Sequence, residues 1–186
     1  MNDAPPGYDP DSEATTWVFG YGSLIWRQDF PFLDARRAWI SGFGRRFWQG
    51  SHDHRGRADA PGRVVTLIES PNERCFGKAF LVSHDVFDHL DHREKNGYTR
   101  HELTVHFEDA DVGGVTYVAP HDNQAFLGAA AMDDMVGQIL VSSGESGANT
   151  EYVLELARAL RSLDIHDAHV IEIEAALLAA MSASRR

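Results

Sequence analysis

The chain has 186 residues, 43% of them hydrophobic, and 17 basic against 28 acidic side chains give it a formal net charge of -11. That length suits one domain with a substantial core, and that charge argues against a nucleic-acid backbone or an anionic membrane as the main partner. The single cysteine, Cys75, excludes an intrachain disulfide and points to a reducing, cytoplasmic compartment. Thirteen of the basic residues fall in residues 1–100, so an anion-binding surface is expected in the first half. No apolar run approaches membrane-spanning length, and the acidic N-terminal segment does not resemble a signal peptide.

Residues 1–15 are polar and turn-rich and read as a flexible N-terminal arm, ahead of a single domain over 16–183. Trp17–Tyr21 is predicted as the first strand, leading into Gly22-Ser23-Leu24-Ile25-Trp26-Arg27. Residues 38–48 mix aromatic and β-branched side chains with glycine and predict a second strand, bent or bulged at Gly42 or Gly44. The polar stretch Gln49 to Gly62 is long for a plain connection, which favours a functional loop. Val64–Ile68 and Phe76–Val82 read as a β-hairpin turning at Ser70-Pro71-Asn72-Glu73.

Ser83 is placed to cap a short helix with Phe87 and Leu90 on its inner face, ending near Asn96-Gly97. Thr99–Phe107 and Gly114–Val118 complete the strands, with Gly113-Gly114 between them. Three helical patterns follow: residues 131–143, a stripe of Tyr152, Val153, Leu156, Leu160 and Leu163 after Asn149 as a possible cap, and about 168–182. Strands first and helices last indicate an α+β fold.

Two stretches could carry chemistry. Backbone amides at the Gly20–Ser23 turn could hold a carboxylate or an oxyanion, while the same glycines also suit a bulge or tight bend. Asp91 to Tyr98 places several charged side chains at a helix-to-turn junction. A carboxylate there could exchange protons near neutral pH if it faces inward, and would otherwise belong to a solvated turn. The pair His52/His54 and the trio His84/His89/His92 form no specific metal signature, and no nucleotide-binding glycine motif or serine-hydrolase elbow is present. Cys75, opening an apolar run, reads as a buried thiol.

Taken together, Tyr21-Gly22-Ser23-Leu24-Ile25-Trp26-Arg27, Asp53-His54-Arg55-Gly56, Pro61-Gly62-Arg63-Val64-Val65-Thr66-Leu67 and Asp91-His92-Arg93-Glu94-Lys95-Asn96-Gly97-Tyr98 resemble the ChaC-like γ-glutamylcyclotransferases, which act on glutathione. Elements of Ser146-Gly147-Ala148-Asn149-Thr150-Glu151-Tyr152 also match, and the pieces stand in order over about residues 17–181. Lys95-Asn96-Gly97 departs from the common Lys-Gly-Gly form, a change that asparagine's tolerance of turn geometry accommodates.

The resemblance implies a mixed fold with a β-barrel-like sheet and surrounding helices. It also implies a cofactor-independent cytoplasmic enzyme that cyclises the γ-glutamyl group of a small molecule to 5-oxoproline and releases Cys-Gly. Glu94 would be the acid–base residue, the turn Tyr21, Gly22, Ser23 and Leu24 would receive the γ-glutamyl end, and Tyr152 would lie near the substrate. Tyr98, Arg27, Arg55 and Arg63 are further substrate-binding candidates, the arginines for a substrate carboxylate or as braces within loops. No metal is expected. Cyclisation of a different γ-glutamyl peptide or amine, and non-catalytic γ-glutamyl binding, are the alternative functions.

Overall fold

Two long strands frame the protein. The computed structural model describes residues 15–93 and 98–184, and in it β2 (Asp34–Ser51) and β3 (Gly62–Ser83) run antiparallel from Asp34 opposite Leu81 to Ser51 opposite Gly62. Pairing breaks between Ser41 and Phe43, where residues 70–73 of β3 bow out opposite the single residue Gly42. Gly42 has φ +85, a left-handed conformation that glycine adopts without a Cβ penalty. The expected bend is therefore at Gly42, while Gly44 remains in regular register with Ile68.

This arrangement corrects the expected hairpin over 64–82. Ser70–Glu73 does not reverse the chain, because the segments on both sides of it pair with β2. Turn-forming residues inside a long strand produced a bulge, held by Ser70 donating to Glu73 at 2.8 Å and Arg46 donating to Glu73 at 2.6 Å.

β1 (Thr15–Gly20) pairs antiparallel with β3 and parallel with β5 (Asp111–Val118). β5 pairs antiparallel with β4 (Thr99–His106), which meets β2 at Trp39 and His106. The order β1-β3-β2-β4-β5 closes into a barrel, with no open edge between β5 and β1. The β4–β5 reversal lies at Phe107–Ala110, and Gly113 and Gly114 sit inside β5 rather than between the strands. Of the expected arm, residues 1–14 lie outside the described residues, and Thr15 already belongs to β1.

Alternate residues of the strands feed two cores, as a period of two requires. Phe19 and Ala79 join the larger core, which the barrel shares with α2 (Met132–Val141), α3 (Asn149–Ser162) and α4 (Ala168–Ala183). Val18, Phe80 and Val82 join a smaller core with Phe30 and with Leu90 of α1 (Phe87–Arg93). In the larger core Leu156, Ile173 and Leu177 are fully buried, each removing enough apolar surface from water to stabilise the fold by about 2 kcal/mol.

Two expected helix caps take other roles. Ala148 is the cap of α3, while the buried Asn149 side chain accepts from the Arg63 amide at 2.7 Å and donates to the Arg63 carbonyl at 2.8 Å. It fastens the start of α3 to β3 in the manner of an extra strand residue. Ser83 precedes a 3₁₀ turn, His84–Val86, and its hydroxyl bonds the Asp85 carboxylate instead of a helix amide. Asp167 does cap α4, accepting from the Val170 amide at 3.1 Å.

Candidate active site

The apolar run of β1 ends at Gly20, and the chain then makes a 3₁₀ turn over Ser23–Ile25. The Ile25 amide donates to the Gly22 carbonyl at 3.0 Å, and the Trp26 and Arg27 amides donate to the Ser23 carbonyl at 3.2 and 2.8 Å. Gly22 is tightly enclosed, since a Cβ there would meet Val65 Cγ2 at 3.0 Å and the Tyr152 hydroxyl at 3.2 Å. Tyr21 is buried, and its hydroxyl donates to the Tyr117 carbonyl at 2.7 Å.

Tyr21, Gly22, Ser23 and Leu24 line a small recess of about 50 Å³ together with Tyr98 and Tyr152. Ser23, Tyr98 and Tyr152 also line a larger cavity of about 470 Å³, a volume suited to a small peptide. Arg27 and Arg55 reach the larger cavity as well. Arg63 is not among its lining residues. Its guanidinium is buried and donates to the carbonyls of Phe47 and Gly128 at 3.0 and 3.1 Å and to the Gln138 side chain at 2.7 Å. Burial lowers its pKa.

The two tyrosines grip β3 at the two backbone polar groups of one residue. Tyr98 donates to the Val65 carbonyl at 3.0 Å, and the Val65 amide donates to the Tyr152 hydroxyl at 3.4 Å. Val65 lies opposite the second irregularity of the β2–β3 ladder, between the pairs Arg46–Thr66 and Gln49–Val64.

The long loop after β2 is pinned to the segment before α3. The Glu145 amide donates to the Asp53 carbonyl at 2.8 Å, and the Ser146 amide to the His54 carbonyl at 2.9 Å. Arg55 crosses the same junction, donating to the Ala148 carbonyl at 3.0 Å and to the Glu151 carboxylate at 2.9 Å, with its guanidinium 5.8 Å from the Tyr152 ring centre. Ser146 also lines the cavity, and its Oγ lies 3.0 Å from His54 Nδ1 and 3.4 Å from Arg27 Nη1. Asp29 and Asp53 place carboxylates among these cations, facing His89 and His54 at 3.7 Å.

Glu94, with Lys95, Asn96 and Gly97, lies outside the described residues. The chain on either side of this segment reaches the cavity through His92 and Tyr98. Asp91, just upstream, accepts from the Tyr117 hydroxyl at 2.5 Å and lies 3.8 Å from Arg100. Among the described residues no group of three or more His, Cys, Asp or Glu side chains is placed to hold a metal ion, and no helix is long and apolar enough to cross a membrane. Cys75 is buried, and burial pushes its thiol pKa up to about 11.

Nothing in the sequence singles out Arg45. Among the described residues it is the largest fully buried side chain, and its Nε donates to the carbonyl of Tyr21 at 2.7 Å. The available signal was an arginine within an otherwise apolar strand, but Arg45-Arg46 side by side gave no way to tell which faces inward. Ser146 and His54 belonged to noted motifs, yet only the folded chain brings them together.

A ChaC-like protein family model matches residues 16–180. Zebrafish (Danio rerio) glutathione-specific γ-glutamylcyclotransferase 1 is 39% identical over 178 residues, covering 90% of this chain and 91% of the relative. The human protein of the same name is 41% identical over 161 residues, covering 82% of this chain and 72% of the relative. A crystal structure of a γ-glutamyl cyclotransferase specific to glutathione from yeast superposes with a TM-score of 0.81 at 30% identity, covering 88% of this chain and 96% of the other.

Proposed function

The chain belongs to the ChaC-like protein family, and from this premise we propose that it is a cytoplasmic, glutathione-specific γ-glutamylcyclotransferase whose catalytic domain spans residues 16–183. The observation that carries the reading is the convergence of separate segments on one cavity: Ser23 and Arg27 after β1, Arg55 in the long loop, Tyr98 after the Glu94 segment and Tyr152 on α3.

The chemistry asks little of the protein beyond placement and one proton carrier. The nucleophile is the substrate's own α-amine, which is protonated near neutral pH. Glu94 takes a proton from this amine, which then attacks the γ-carbonyl carbon in a five-membered closure. The γ-amide C–N bond breaks as the lactam C–N bond forms. The attacking nitrogen gives up a second proton as the lactam forms, and the departing nitrogen takes up two in all, the first from Glu94, to leave as the ammonium group of Cys-Gly, so no water is consumed. Holding the flexible γ-glutamyl chain in a near-cyclic pose supplies the proximity advantage.

In this proposal the amides of Gly22 and Ser23 receive the α-carboxylate of the γ-glutamyl group. Tyr21 and Leu24 shape the recess, and Tyr98 and Tyr152 close it from the other side. Arg27 and Arg55 offset the repulsion between an anionic substrate and a chain of net charge -11, with Arg27 on the side of the cavity that takes the glycine carboxylate. Arg63 acts at one remove, by bracing β3 beneath the recess. The test is product analysis: purified protein given glutathione yields 5-oxoproline and Cys-Gly in equal amounts, whereas release of free glutamate contradicts the reaction.

A further inference from the structure

We infer that Arg45 is a positioning residue for the substrate anion, acting through the peptide bond between Tyr21 and Gly22. This rests on the proposal above that the amides of the turn hold the α-carboxylate.

The Arg45 guanidinium is fully buried, and each of its three nitrogens has a defined acceptor. Nε donates to the Tyr21 carbonyl at 2.7 Å, Nη1 to Asp167 Oδ2 at 2.5 Å, and Nη2 to the Phe76 carbonyl. Asp167 is itself fixed as the cap of α4, and Phe76 is fixed in β3 opposite Trp39. The guanidinium fork is therefore held by two elements of the fold, and its remaining direction is aimed at a backbone carbonyl of the turn.

A peptide unit is planar, and the described chain has no cis bonds, so the carbonyl of Tyr21 and the N–H of Gly22 point in opposite directions. Anchoring the carbonyl on the Arg45 side fixes the Gly22 N–H on the opposite side, away from the guanidinium. Gly22 lines the recess between the turn, Val65 and the two tyrosines. The cation also polarises the peptide unit it touches, because a charge-assisted bond to the oxygen withdraws electron density and strengthens the N–H as a donor. Arg45 thus carries a positive influence to the anion site without entering it, and a direct arginine contact there is not needed.

A purely structural arginine would act differently. It would hold β2, β3 and α4 together, and its loss would affect all substrates alike. The distinguishing readout is the ratio of kcat/KM for glutathione to that for the analogue whose γ-glutamyl α-carboxylate is a carboxamide. Asp167→Asn is the reference, since it removes the carboxylate partner while keeping an acceptor for the α4 cap and leaving the Tyr21 bond intact. Arg45→Met combined with Asp167→Asn then removes the guanidinium without leaving a lone charge in the core. Arg45→Lys gives the same comparison in a chain that keeps a buried cation, so a folding failure in one variant does not remove the test.

The expected result is a ratio that Asp167→Asn preserves and that both Arg45 variants reduce about tenfold, mainly through KM for glutathione. Arg45 variants that lose activity equally on both substrates, with the ratio unchanged, overturn the inference. A wild-type ratio near one is a different failure, since it overturns the reading of the turn amides as the carboxylate site and this inference with it.

Discussion

Tyr98 and Tyr152 meet on a single residue of β3: the Tyr98 hydroxyl binds the Val65 carbonyl at 3.0 Å, and the Tyr152 hydroxyl binds the Val65 amide at 3.4 Å. One tyrosine follows the Glu94 segment and the other stands in the first turns of α3. Their shared contact ties both to the strand that underlies the Tyr21–Leu24 turn. Removing either hydroxyl leaves one polar group of Val65 without this partner. Tyr98→Phe and Tyr152→Phe are each expected to lower stability by about 1 kcal/mol in denaturant unfolding. Tyr98→Phe should also lower kcat more than Tyr152→Phe does, because it loosens the chain next to Glu94. Equal kcat in both variants and the wild type contradicts the role assigned to this clamp.

Glu94 is the residue assigned to proton transfer. Glu94→Gln keeps the side chain's size and removes its basicity, so kcat should fall at least about 100-fold while the folded state survives. Near-normal turnover would reject the assignment. Suspicion would then move to Asp91, which accepts from Tyr117, or Glu151, which accepts from Arg55. Binding of glutathione by calorimetry without turnover in the wild type would favour the non-catalytic alternative.

Much of this site could be read from the chain, and what could not has a physical reason. The Tyr21–Leu24 turn, Arg55 and the tyrosines lie in short stretches that are weak singly and legible through their joint order and spacing, and the fold brings them to the cavity and its recess. The fates of Asn149, Ser70–Glu73 and Arg45 depend on partners far away in sequence. A cap-like asparagine became a strand-like clamp because Arg63 arrives beside it. A turn-like tetrapeptide became a bulge because β2 continues on both sides of it. Arg45 and Arg46 differ only in which side of β2 they face, and a bend at Gly42 obscures that alternation.

His169 supplies a pH dependence of stability. Its Nε2 accepts from the Phe47 amide at 3.0 Å, which requires that nitrogen to be unprotonated. Burial, reinforced by Arg46 and Arg45 and opposed by Asp167 and Glu73, lowers its pKa to about 4 from an ordinary value of 6.5. Between those values the unfolded chain binds more protons than the folded one, so stability rises with pH. The contribution is present in full above about pH 6.5 and is lost as pH falls toward 4. His169→Gln keeps an acceptor but does not titrate, and its Tm should decline less than that of the wild type between pH 6.5 and 4. Parallel declines would contradict this source of acid sensitivity.

Metal dependence is testable from the chemistry proposed. An intramolecular amine needs no metal-generated hydroxide to attack the γ-carbonyl. Treatment with a strong chelator should leave the initial rate unchanged. Loss of activity restored specifically by one added metal would contradict this expectation and direct attention to His54, His89 and His92, which line the cavity.

The central claim is that the substrate's amine, and not water, attacks the γ-carbonyl in the cavity between the Tyr21–Leu24 turn and Tyr152. Turnover of glutathione in ¹⁸O-enriched water tests it most directly, because cyclisation takes no oxygen from the solvent. The account predicts 5-oxoproline of unshifted mass, formed in step with Cys-Gly. Glutamate carrying one ¹⁸O atom in its γ-carboxylate would contradict it.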